Sequence, residues 1–349
     1  MSASATSAES TSFAARINHP AARALIERHR LRWWEVLPWI AAIAGYFIFP
    51  GYLGFGTELL VAILFALSLD LALGYAGIIT LGHAAFFGAG AYTVGMLADH
   101  GVWSEPITGL MLAALVAAIV GLLSGLVLLR TRGLTLLMLT ICSMALLEQA
   151  ANMAHDYTGG FDGLPNLPIT PIFGVFNFNP LYNNTQYLYA LAVLLACFVF
   201  VRTLVYSPFG QSLTGIRENL LRMHAVGAPV RRRLIICYTL SAAIAGIAGG
   251  LWAQVNAYVN LSSLDLDRAA TVLIVLILGG YGRLYGAFVG AVVYLALEHF
   301  LARIYPTAWQ LGLGILLVFI ALFARNGILG LGEALWRRYG GRHKPSAPS

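Results

Sequence analysis

Long apolar runs recur from residue 36 to residue 324, separated by short polar stretches. Their lengths predict membrane-crossing helices near residues 36–53, 58–75, 84–98, 107–129, 134–152, 186–206, 234–256, 267–281, 284–303 and 308–324. One polar stretch is too long and too patterned to be a simple turn. In residues 207–233, SPFGQSLTGIRENLLRMHAVGAPVRRR, the residues Phe209, Leu213, Ile216, Leu220 and Met223 recur at helical spacing. Gln211, Arg217, Glu218 and Arg222 lie off that stripe. Ser207 can cap a helix start, Pro208 suits its first position, and Gly227 followed by Pro229 supplies a stop. The pattern predicts a single surface helix of about five turns, lying flat at the membrane. Periodicity alone does not separate a helix that offers a face to another protein from one that rests on lipid headgroups.

Composition agrees with this pattern. Hydrophobic residues make up 59% of the 349 and charged residues 10%, with a mean hydropathy of +0.77, which excludes a soluble domain with a polar shell. The fold class is all-α, a polytopic membrane protein of about ten transmembrane helices. The lipid bilayer is its solvent. Residues 1–35 read as an amino-terminal extension whose first fifteen residues form a disordered tail and not a cleavable signal peptide. Residues 36–331 form one transmembrane domain, and residues 332–349 a carboxyl-terminal tail. Cys142, Cys197 and Cys237 all sit in apolar runs with no pairing at metal-ligand or redox spacing, so they read as core residues.

Charge fixes the orientation. Arg16, Arg23, Arg28, Arg30 and Arg32 precede the first run, and Trp33, Trp34 and Trp39 follow as interface anchors. Alternating sides from there places 19 of the 21 lysines and arginines in the cytoplasm and leaves Arg268 and Arg303 outside. Both termini are therefore expected in the cytoplasm, with segment 207–233 on the same side. This asymmetry accounts for the net charge of +6 without a nucleic-acid partner. The segment 155–184 falls outside, and its TGGFDGLPN core, residues 158–166, predicts a compact external loop.

Glycine and buried acids supply the candidate chemistry. Gly74, Gly77, Gly82, Gly88, Gly90 and Gly95 crowd one region, which suggests a broken or re-entrant helix lining a cavity; close helix packing is the other reading. For Gly121/Gly125 and Gly286/Gly290, both at GxxxG spacing, packing is favoured. The stretch LGGYGRLYGA, residues 278–287, echoes LGYAGIITLG, residues 73–82, as a duplicated half would. Asp70, Glu148 and Glu298 fall within or near spans, where an unpaired charge is costly. Only Asp70 is hard to solvate, with His83 or the backbone of residues 74–77 as its expected partners and a structural hydrogen bond as its expected role. Asp70, Tyr75, His83 and Phe86 are the candidates for a translocation path, with Phe87 beside them. The only lysine is Lys344, so no GxxxxGK[ST] phosphate loop exists, and no catalytic constellation is present. The chain reads as a transport protein without its own ATPase site, and no cofactor or metal is expected.

Several blocks in order then resemble a known family. They are LGYAGIITLGHAAFFGAGAYT (73–93), RGLTLLMLT (132–140), TGGFDGL (158–164), SPFGQSLTGIREN (207–219), LSAAIAGIAGGLWA (240–253) and LGGYGRLYGAFVGA (278–291). Together they are similar to the permease subunits of branched-chain amino acid ATP-binding-cassette importers, in the longer of the two permease types. The resemblance implies a second homologous permease subunit, two cytoplasmic ATPase subunits and a periplasmic solute-binding protein, at a bacterial inner membrane. It makes segment 207–233 a cytoplasmic coupling loop, with Phe209, Leu213, Arg217, Glu218, Arg222 and Gly227 as coupling residues. Asn219 and Leu220 follow Glu218 where the family carries an EAA triplet. The external segment 153–185, around Gly159, Gly160, Asp162 and Gly163, would face the binding protein. The implied cargo is a branched-chain or other hydrophobic amino acid. An ion-coupled secondary carrier acting alone, with Asp70 as its coupling acid, is the alternative.

Overall fold

The computed structural model describes residues 36–101, 104–168 and 183–304, with isolated positions between 311 and 330. The described residues are helical, and their one strand-like feature is a backbone pair between Leu164 and Val259. The helices are α1 (Leu37–Ile48), α2 (Leu53–Leu69), α3 (Ala84–Asp99), α4 (Pro106–Leu128), α5 (Leu134–Met153), α6 (His155–Thr158), α7 (Asn183–Tyr206), α8 (Pro208–Glu218), α9 (Leu220–Ala225), α10 (Val230–Asn256), α11 (Leu266–Gly279) and α12 (Gly286–Ile304).

Six stretches among the described residues are long and apolar enough to cross a membrane: Pro50–Tyr75, Pro106–Leu128, Leu134–Met153, Asn184–Tyr206, Val230–Asn256 and Gly286–Ile304. Three further runs read as spans are helices of 12, 16 and 14 residues, α1, α3 and α11. Each is short of the roughly 20 residues of a straight crossing. The cause is local. Pro50 interrupts the first run, non-helical backbone precedes Ala84, and Gly280 and Gly282 end α11 in left-handed conformations. The last predicted span, 308–324, lies outside the described residues apart from isolated positions, as do the arginines before residue 36 and the tail after 331.

α10 is the centre of the bundle, packed on α4, α3 and α2. Lipid removes the hydrophobic drive between helices, so close van der Waals contact has to hold them together. α4 supplies it with small residues at every fourth position: Gly109, Ala113, Ala117, Gly121 and Gly125 are its buried stripe. Gly121 lies against Ala242 and Gly125 against Tyr238 of α10, while Gly246 of α10 faces Ala113 and Ala117. The opposite face of α4 exposes Met111, Leu115, Leu122 and Leu123, as a lipid-facing surface would. Gly90 of α3 sits on the backbone of Gly246, and Gly249 on that of Phe87. α12 packs on α11 the same way, with Gly286 and Gly290 against the backbone of residues 275–280. Both GxxxG pairs therefore pack. So do Gly88 and Gly95, against Leu264 and against Leu164 and Val259.

α1 joins the bundle at its edge. The Tyr187 hydroxyl donates to the Ala42 carbonyl at 2.8 Å, and Trp39 packs edge-on to Phe198 and Phe288 with ring centres 5.3 and 5.5 Å away. Trp39 is thus a packing residue as well as the interface anchor its position predicts.

Candidate functional site

The polar segment after α7 folds as two helices and not as one. Ser207 starts α8, its hydroxyl accepting from the Gly210 N–H at 3.4 Å. Asn219 then leaves helical geometry with φ −152° and ψ 95°, and its side-chain oxygen caps α9 by accepting from the Arg222 N–H at 2.9 Å. Asparagine bonds readily to its own backbone, so it competes with a continuing helix and favours a new start. Gly227 supplies the predicted stop in a left-handed conformation, φ 79°.

The apolar stripe of this segment faces the transmembrane bundle. Leu213 and Ile216 are buried, and Phe209 is partly buried against the core. Leu213 thus seats α8 on the protein's own body. The outward side presents Gln211, Glu218, Arg222, Leu221 and Val226, the last two 80% and 76% exposed.

Arg217 belongs to both sides. Its side chain is largely exposed, yet its guanidinium donates to the Gly74 carbonyl, and its stem covers Gly77. Gly74 lies in a π-helical turn, Asp70–Tyr75, that extends α2. Such wide turns leave carbonyls and N–H groups off the regular ladder, and they recur at functional sites. Asp70 opens the turn and is fully buried. Its Oδ1 accepts from the Gly282 N–H at 2.6 Å, its Oδ2 has no hydrogen-bond partner, and Arg217 is its charged neighbour. Gly282 also borders the Arg217 guanidinium, and the Tyr75 hydroxyl meets the Leu284 backbone. Three segments far apart in sequence therefore converge at one polar junction: the π turn, the surface helix α8 and the 280–284 loop after α11. The sequence echo between 73–82 and 278–287 places its two copies in contact here. Asp70 has the structural hydrogen bond expected of it, but the donor is Gly282 instead of His83 or the backbone of residues 74–77.

His83 is engaged elsewhere. Its Nε2 lies 3.0 Å from the Ser68 hydroxyl, its ring stacks on Phe65 and meets Phe86 edge-on, and Phe86 in turn packs on Tyr238. The four path candidates thus split into Asp70 with Tyr75 at the junction and His83 with Phe86 in an aromatic core. None of the four lines the cavities of about 920 and about 570 Å³ found among the described residues.

Of the segment 153–185, residues 169–182 lie outside the described residues, and the part around Gly159–Gly163 is compact. The Thr158 hydroxyl meets the Ala151 and Ala154 carbonyls at 2.6 and 2.9 Å, and Gly159, Gly160 and Gly163 take positive φ. Leu164 exchanges two backbone hydrogen bonds with Val259, which ties the loop to the end of α10. The Tyr258 hydroxyl donates to the Asp162 carbonyl at 3.2 Å. Phe161 crowns the loop, 85% exposed.

The sequence reading missed one charged cluster. Arg268 lies over the Trp252 ring at 4.5 Å and the Phe87 ring at 5.3 Å, with Glu58 and Glu298 as its charged neighbours. The hint was there, because Arg268 is one of only two basic residues that charge alternation leaves outside.

The sequence model described as branched-chain amino acid transport system / permease component matches residues 51–322. The chain belongs to this family. Within it, the chain is 28% identical over 308 residues to the high-affinity branched-chain amino acid transport system permease protein LivM of Escherichia coli, covering 81% of this chain and 71% of the relative. It is 26% identical over 276 residues to the autoinducer 2 import system permease protein LsrC of Enterobacter sp., covering 74% of this chain and 76% of the relative. No solved structure matches it significantly. The junction of Asp70, Gly74, Arg217 and Gly282 lies wholly inside the family match.

Proposed function

We propose that this permease is one half of the membrane channel of an ATP-driven importer for branched-chain or other hydrophobic amino acids. In this reading α8 and α9 form the coupling element, seated on the bundle by Leu213 and Ile216 and gripped from the cytoplasm through Glu218, Arg222 and the exposed Leu221. The observation that carries it is the Arg217 contact with Gly74. Through it, rigid-body movement of α8 is passed to the π turn of α2 and, by Asp70 and Gly282, to the α11–α12 hairpin. Closure of two ATPase subunits would then tilt these helices together and alternate access of the path.

The membrane arrangement follows. Nine described helices and the 308–324 run would cross or enter the bilayer of a bacterial inner membrane, with both termini cytoplasmic. The Gly159–Gly163 loop and Phe161 would face a periplasmic solute-binding protein. A second, homologous permease would complete the path. An ion-coupled carrier with Asp70 as its proton site is disfavoured, because the family and its named relatives are permease components of transport and import systems. The test is co-expression of the tagged permease with its genomic neighbours. Co-purification of an ATPase subunit and ATP-dependent uptake of a hydrophobic amino acid are expected; transport by the purified permease alone, driven by a proton gradient, would overturn the reading.

A further inference from the structure

The bundle carries a second feature that the coupling role does not use. Behind α8 and α9, on the side turned to the transmembrane body, lies a cavity of about 570 Å³. Its walls come from the stretch after the π turn (Gly77, Ile78, Ile79), the α4–α5 loop, the inner side of the surface helices and the start of α10. Arg130, Arg132, Arg217, Arg231 and His224 all line it, and no carboxylate does so among the described residues. Arg217 is held by Gly74, and Arg231 donates to the Leu126 carbonyl at 3.2 Å while remaining exposed. Arg130 and Arg132 are exposed, on the loop that follows α4. The inner wall is apolar, built from Ile78, Leu129, Leu136, Val230 and Leu234.

We infer that this cavity holds the headgroup of an acidic phospholipid, its phosphate between Arg130, Arg132 and Arg231 and its upper acyl chain on the Leu136–Leu234 wall. Charge complementarity favours an anion, since Arg130, Arg132 and Arg231 concentrate positive charge at the mouth with no carboxylate among the described lining residues. The apolar wall beside the basic mouth favours an amphiphile over a free ion. The cavity opens at the ends of α4, α5 and α10, where apolar helix gives way to arginine, which is headgroup depth. The ATPase-facing side of α8 and α9 is the opposite one, so a lipid here would wedge the surface helices from behind without competing with a motor. The inference rests on the cytoplasmic placement of α8 only for its biological meaning; lipid binding itself is independent of it.

The test uses the purified full-length permease in detergent, titrated with short-chain phosphatidylglycerol, short-chain phosphatidylcholine and inorganic phosphate, with binding read by native mass spectrometry. Phosphatidylglycerol should bind at least tenfold more tightly than phosphatidylcholine, and millimolar phosphate should not displace it. R130Q/R132Q should weaken it about 25-fold, at roughly fivefold per arginine. R232Q/R233Q, which removes the same charge at two described residues that do not line the cavity, should leave it unchanged. Because Arg130 and Arg132 are exposed, folding of the variant is expected; single substitution of Arg231 to Gln gives an independent reading, with a loss of about fivefold. Equal binding of the two lipids, displacement by phosphate, or equal losses in the cavity and control variants would each overturn the inference. Loss of ATPase co-purification with lipid selectivity intact would instead strike only the coupling reading.

Discussion

Replacing Arg217 by Gln tests the junction most sharply, because it removes the charge and withdraws the donor from Gly74 while keeping a polar, shorter side chain. The guanidinium donates to the Gly74 carbonyl and neighbours Asp70. A hydrogen bond from a charged donor contributes about 1.5–3 kcal/mol, and the exposure of Arg217 on its outer side discounts this to about 1–2 kcal/mol. Spread over a chain of this size, such a loss lowers the thermal midpoint by only about 2–4 °C. The same 1–2 kcal/mol is about 5- to 30-fold in an equilibrium between locked and unlocked α8. Uptake in proteoliposomes containing the assembled importer should therefore fall about tenfold, with ATP hydrolysis largely retained, so the two activities uncouple. A double-mutant cycle with Asp70→Asn should show an interaction of about 1 kcal/mol, since each change leaves the other group facing an altered partner. If uptake falls only in proportion to the folded protein, or if the two substitutions are additive, the junction does not transmit motion.

Other parts of the structure make separate predictions. Gly282→Ala places a methyl group 2.7 Å from the Arg217 guanidinium at a φ of 76°, so it should cost about 2–4 kcal/mol and mimic the Arg217→Gln uncoupling, measured by the same paired assays. Gly249→Ala drives a methyl group into the Phe87 carbonyl at the centre of the bundle and should lower stability by about 3 kcal/mol or more in a thermal unfolding assay, whereas alanine at Gly133, with nothing near it but a φ of 62°, should cost only about 1–2 kcal/mol. Ser68→Ala leaves the buried His83 ring without its partner and should cost about 1–3 kcal/mol with no selective effect on coupling. Phe161→Asp, on a side chain that touches little of its own protein, should change stability by less than about 0.5 kcal/mol while weakening uptake that depends on the binding protein.

Much of this arrangement was legible in the sequence, for identifiable reasons. Apolar run length placed α4, α5, α7, α10 and α12 within a few residues, because a bilayer imposes one length on every straight crossing. The same rule overstated α1, while α3 and α11 keep within two residues of the runs 84–98 and 267–281 and are shorter than a straight crossing. Proline and glycine break the backbone there, and hydropathy does not register backbone geometry. The surface segment was recognised by its stripe and caps, but Asn219 was read as a helical residue when its side chain was free to start a second helix. Glycine spacing correctly announced the contact of α4 with α10. It could not say that the glycines of α3 meet Gly246 and Leu264, since small residues suit close packing and a cavity wall equally well. Asp70 stood out as a buried acid, yet its partner lies 212 positions away. Only the meeting of the two echoing segments reveals Gly282, and no local pattern marks that contact. Arg268 stood out only as an exception to charge alternation, and its ring partners come from α3 and α10.

The central claim is that α8 and α9 reach an external motor from the cytoplasm. Cys142 is the exposed native cysteine among the described residues. In a Cys142→Ser background, cysteine placed at Gln211 or at Arg222 should cross-link to an ATPase subunit in the assembled importer and resist a membrane-impermeant thiol reagent added outside sealed cells. Labelling of either position from outside, without a cross-link, would contradict the account.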